Sequence, residues 1–171
     1  MPRRLPRPKL AIERFTLDNG LRVVLNPDRS APVVGIAVYY DVGFRSEPEG
    51  RTGFAHLFEH LMFQGSAHLE KGEADRLIEG NGGNMNGSTH PDFTVYISQL
   101  PSTALELGLF LEADRMSGVR ITEDNLRNQI EPAKCFAASV TSENERIRFE
   151  AIASELRREL QLVEVRRSRE R

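Results

Sequence analysis

Apolar and polar side chains alternate near the start of the chain. Ile12-Glu13-Arg14-Phe15-Thr16-Leu17 changes character almost residue by residue, Asp18-Asn19-Gly20 is a turn signal, and Leu21 to Leu25 resumes the strand pattern. This predicts a β-hairpin over residues 12–26, closed by Asn26-Pro27-Asp28. Val33 to Tyr40 is a longer β-branched and aromatic run, expected as a central strand. After a polar loop from Gly43 to Gly53, apolar residues recur at helical spacing from Phe54 to Phe63, with Thr52 the expected N-cap. A second helix is expected from Glu73 to Gly80, ending on its glycine. Met85 to Thr89 and Phe93 to Ser98 read as a hairpin. A longer helix follows from Pro101-Ser102 to Gly118. Another opens at Thr122, with acidic residues in its first turn, and meets Pro132, which removes a backbone donor inside it. From Ser142 onward the spacing of Ile147, Phe149, Ile152, Leu156 and Leu160 predicts a charged amphipathic helix with a basic end, Arg166 to Arg171. The pattern shows no internal repeat.

Composition narrows this picture. At 171 residues the chain has the length of one domain with its own core. The 23 Lys and Arg nearly balance the 25 Asp and Glu, so charge gives no reason to expect a nucleic-acid or membrane partner. The single cysteine, Cys135, excludes an internal disulfide and a Cys-rich zinc site, leaving histidine and carboxylate to hold any metal. The basic start, Met1 to Lys9, is broken by prolines and lacks an apolar run of signal-peptide length. The expected location is therefore the cytoplasm.

Chemistry concentrates in His56-Leu57-Phe58-Glu59-His60. Residues four apart share one face of a helix, so His56 and His60 can both offer a nitrogen to one ion. At about 100° per residue, Glu59 lies roughly 60° from His56 around the axis, within reach of a metal-bound water. H-x-x-E-H is the inverse of H-E-x-x-H and carries the inverzincin pattern. Leu57, Phe58, Leu61, Met62 and Phe63 surround the polar trio. A metal explains polar groups set against apolar surface, where an unpaired charge is costly. His68 and His90 read as surface residues.

Several separated pieces, in order, carry a resemblance: Leu17-Asp18-Asn19-Gly20-Leu21; Gly50 through Ser66; Gly82-Gly83 followed by Asn86-Gly87-Ser88-Thr89; and Leu111 through Met116. Residues from about Phe15 to Gln129 resemble the N-terminal domain of the pitrilysin and insulinase peptidases, most closely the bacterial branch similar to mitochondrial processing peptidase. The resemblance implies an α+β domain, an antiparallel-rich sheet packed against helices, forming part of the N-terminal half of a peptidase clamshell. It implies Zn2+ as cofactor, His56 and His60 as metal ligands and Glu59 as general base. Asn84 to Thr89 resembles the family's substrate-pairing edge strand, with Asn86 near the substrate, although an ordinary hairpin asparagine explains that residue equally well from the sequence.

The pattern then breaks. The resemblance implies a glutamate on a later helix as third ligand, and extending it without a gap puts Phe136, which cannot ligate zinc, at that place; Glu131, which lies early, and Glu143 and Glu145, which lie late unless the chain bulges, are the carboxylates that could substitute. The expected organisation is a Pro- and Arg-rich lead at 1–11, an incomplete peptidase-like domain at 12–130 and a divergent helical tail at 131–171. Two functions are expected: a zinc-dependent metalloendopeptidase domain that cleaves extended peptides with the help of a second half or subunit, or a weakly active or inactive module that binds peptides or a partner. A truncated remnant is the third reading.

Overall fold

The computed structural model describes residues 10–47 and 53–129. Expectations that fall on Thr52, Pro132, Phe136, the alternative carboxylates and the charged segment after Ser142 lie outside them. Contacts divide the chain after Pro32.

The first unit holds the expected hairpin. Strands β1 (Glu13–Thr16) and β2 (Arg22–Leu25) pair antiparallel, with Phe15 opposite Val23. At the turn Gly20 takes φ 88°, a left-handed conformation that glycine adopts without steric cost. The Asn19 side chain accepts a hydrogen bond from the Leu21 amide at 3.1 Å.

The second unit begins with β3 (Val33–Tyr40), continues through α1 (Phe54–Leu61), α2 (Glu73–Gly80), β4 (Asn84–Thr89), β5 (Thr94–Pro101) and α3 (Leu105–Ser117), and ends in α4, helical over 123–129. The sheet order is β3-β5-β4, antiparallel throughout. This corrects the expected place of Val33 to Tyr40. Among the described residues β3 pairs only with β5, and the middle position belongs to β5. The burial of β3 alternates along its length, whereas β5 is buried at five of its eight positions.

The core packs Leu69 and Ile78 against Leu100 of β5 and Leu111 of α3, with Val34, Met85 and Leu107 around them. Each fully buried leucine or isoleucine contributes about 1.5–3 kcal/mol relative to exposure. One helix end differs from expectation. Helix α2 does reach Gly80, but the left-handed residue that turns the chain is Gly82, φ 76°, whose amide donates to the Glu79 carbonyl at 2.9 Å.

The cap of α1 comes from elsewhere in the chain. Its N-cap residue is Gly53 at φ 94°, which has no side chain to offer. The Glu47 carboxylate supplies the acceptors instead, taking the Gly53 amide at 2.8 Å and the Ala55 amide at 2.9 Å. A carboxylate there satisfies orphan donors and complements the helix dipole. Glu47→Ala should therefore destabilise the protein by about 1 kcal/mol, measured as a lower urea midpoint at unchanged slope.

Candidate metal centre

Helix α1 buries Ala55, Leu57 and Leu61. That anchoring turns the adjoining stripe, His56 and His60, toward one point. Their Nε2 atoms lie 3.0 Å apart and the ring planes cross at 77°. Glu59 is buried, and one ligand atom from each of His56, Glu59 and His60 falls within 4.8 Å of the others. Among the described residues no other His, Cys, Asp or Glu joins this group.

Residues invisible to spacing rules complete the surroundings. The Thr89 hydroxyl, at the end of β4, donates to Glu59 Oε2. Gly87, two residues earlier, lets Glu59 lie against the strand. A Cβ there would stand 3.1 Å from Glu59 Cγ and 3.0 Å from the Phe63 ring. On the far side, Gln129 of α4 places Oε1 3.1 Å from His60 Nδ1. Thr122 caps α4 as expected, accepting from the Asn125 amide at 3.2 Å.

Asn86 does not join the cluster. It is exposed on β4, opposite Ile97, and its Oδ1 accepts from the Gly87 amide at 2.9 Å. Among the described residues β4 pairs on one side only, with β5, so its other edge presents backbone groups. Beside α1 lies a cavity of about 410 Å³ walled mainly by Tyr40, Val42, Phe54, Phe58 and Met62, with Glu59 at its border.

Two polar groups of α3 hold the segment that follows the site helix and the neighbouring strand β5. The His68 ring is exposed, as expected, but its Nδ1 lies 2.5 Å from buried Asp114, which also accepts from the Ser66 hydroxyl at 2.6 Å and the His68 amide at 3.1 Å. Burial pushes the Asp114 carboxyl up, but these hydrogen bonds outweigh it and hold the group below the usual range. Deeper, Arg115 packs over the rings of Tyr96 and Phe63 at 4.8 and 5.2 Å and faces Glu112 at 3.5 Å. Burial, reinforced by the nearby Glu59 charge, raises the Tyr96 hydroxyl well above its ordinary range.

The donor set fits zinc in kind and in spacing. Two imidazoles beside a carboxylate suit a borderline-soft divalent ion. Two nitrogens on a tetrahedral zinc with bonds of about 2.0–2.1 Å stand about 3.3 Å apart, close to the separation found. The described residues supply two imidazole ligands, one short of the usual three for a catalytic zinc.

Fold and site together define a peptidase-like α+β domain. Residues 22–166 match the family Insulinase (Peptidase family M16), so the match runs past the point at which the quoted motifs stop. The chain is 38% identical over 113 residues to Zinc protease PqqE of Helicobacter pylori, covering 66% of this chain and 26% of that protein. The crystal structure of a protease from Helicobacter pylori superimposes with a TM-score of 0.69 at 33% identity, over 76% of this chain and 32% of the other. That of pitrilysin gives 0.69 at 24% identity, over 78% and 14%, a likeness of fold. The chain belongs to the insulinase family of peptidases, M16, and its fold is part of a pitrilysin-type clamshell half. It spans about a quarter of the length of the curated relative it matches.

Proposed function

We propose that this chain is a zinc-binding peptidase domain that acts on extended peptides and works together with a further half, in the same or another chain. The observation that carries the reading is the 3.0 Å approach of the two Nε2 atoms with the Glu59 carboxylate beside them. His56 and His60 hold the ion through Nε2. Zinc, when bound, supplies a Lewis acid that makes a coordinated water acidic near neutral pH. Thr89 holds Oε2 of Glu59, which leaves Oε1 as the atom that would receive a proton from the attacking water. The open edge of β4 offers backbone donors and acceptors to an extended peptide, as in β-strand addition, with Asn86 on the same strand. The apolar cavity beside Glu59 suits an apolar side chain near the scissile bond. The need for a further half is supported by the chain's span of about 26% of a zinc protease relative.

Phe136 at the family's ligand position favours a second reading, a module that binds peptides and turns them over slowly or not at all. Two ligands hold zinc far more weakly than three, since each ligand contributes to the binding free energy. One experiment separates the readings. Zinc is titrated into the purified chain against a chromogenic chelator, and cleavage of an internally quenched peptide mixture is followed with and without zinc. Stoichiometric zinc and zinc-dependent cleavage support the peptidase. Peptide binding without cleavage supports the module, and neither zinc nor peptide binding rejects both.

A further inference from the structure

Gln129 and Asn125 lie four residues apart on α4, on one face of the helix. Gln64 and His60 are likewise four apart. The two pairs meet rung for rung: Asn125 Nδ2 donates to the Gln64 carbonyl at 3.0 Å, and Gln129 Oε1 faces His60 Nδ1 at 3.1 Å. Asn125 also donates to the Arg120 carbonyl at 2.7 Å, which fixes the start of α4. Both amides are buried, with 8% and 7% exposure.

A carbonyl oxygen can only accept, so the His60 nitrogen facing Gln129 must carry the hydrogen. A neutral imidazole has one such hydrogen, and Nε2 is left with its lone pair directed at His56 Nε2. In the metal-free protein His56 then donates across the 3.0 Å contact, whereas the alternative tautomer of His60 would put its own hydrogen on Nε2, the atom that has to ligate the ion. We propose that Gln129 is a positioning residue that fixes the Nδ1–H tautomer and ring orientation of His60, so that Nε2 is prepared for a metal. The inference deepens the zinc reading given above and rests on it for its consequence, but not for its geometry. Partners of this kind, one shell behind the ligand, set both ring orientation and ligand basicity.

The test has two readouts on the full chain. Long-range proton–nitrogen NMR of the metal-free, labelled protein reports which nitrogen of His60 carries hydrogen. Chelator competition reports zinc affinity. Wild type is expected to show Nδ1–H. Gln129→Met, of similar shape but without an acceptor, should shift His60 toward Nε2–H and weaken zinc binding by about 10- to 100-fold. Gln129→Glu keeps an acceptor and should retain the wild-type tautomer and bind zinc at least as tightly. An Nε2–H tautomer in the wild type overturns the inference, as does a Met variant that matches wild type in both readouts. If the wild type takes up no zinc, the metal reading falls, and the tautomer comparison alone decides the role of Gln129.

Discussion

Glu59→Gln should lower kcat/KM for peptide cleavage by about 10²–10⁴-fold, the usual contribution of a positioned general base, while leaving the dissociation constant of zinc nearly unchanged. The substitution keeps the shape of the side chain and an oxygen for the Thr89 hydroxyl, and removes only the capacity to take up a proton. Steady-state rates on a quenched peptide, together with chelator competition, give both numbers. The pairing matters because Glu59 offers an oxygen within 4.8 Å of both histidine nitrogens and could serve as a ligand. Loss of zinc along with rate would make it a ligand, and an unchanged rate would remove it from the chemistry. Thr89→Val should act in the same direction with a smaller effect, since it frees the carboxylate to rotate away from Gly87.

Arg115→Met should cost about 3–5 kcal/mol at neutral pH, because it leaves a buried carboxylate without its counter-charge. Arg115 and Glu112 are 4% and 3% exposed. The penalty depends on pH. Burial raises the Glu112 carboxyl above its ordinary value of 4.5, and Arg115 and the Ser98 hydroxyl pull it part of the way back. The fold therefore prefers the protonated acid relative to the unfolded chain. The stability attached to that proton is complete below the unfolded value and is lost as pH rises through the folded one. Removing Arg115 lifts the folded value further and enlarges the loss. Urea denaturation should show the variant closest to wild type near pH 4 and furthest from it at neutral pH. Adding Glu112→Gln should restore part of the difference. A deficit that is flat with pH would mean that the lost packing on Tyr96 and Phe63, rather than charge, sets the penalty.

What could be read beforehand was whatever chain-local geometry decides. The hairpin at 12–26, the strand at 33–40 and the face shared by His56 and His60 depend on periods of two and of about 3.6 residues, and all three are found. The middle place of β5 was hidden, because its two partners, β3 and β4, both precede it in the chain, and nothing local to β5 shows that the distant β3 returns to pair with its other flank. Thr89, Gln129 and Glu47 carried no signal for the same reason. They act on α1 from 30, 69 and up to eight residues away, and a threonine, a glutamine and a loop glutamate are unremarkable where they stand. Only the Gly-Ser-Thr after Asn86 hinted that a strand runs close to the site. Asn86 was read from resemblance alone, and its role in holding peptide is part of the proposed function.

The rung-for-rung meeting of α4 with the end of α1 has a consequence for length as well as identity. The chain is pinned just before α4, where the Arg120 amide donates to the Gly65 carbonyl at 3.2 Å, and again at Asn125. Inserting or deleting one residue in the first turn of α4, ahead of Asn125, would turn the rest of the helix by about 100°, carrying Asn125 and Gln129 out of phase together. The spacing in this short connection is thus a dimension of the proposed metal site.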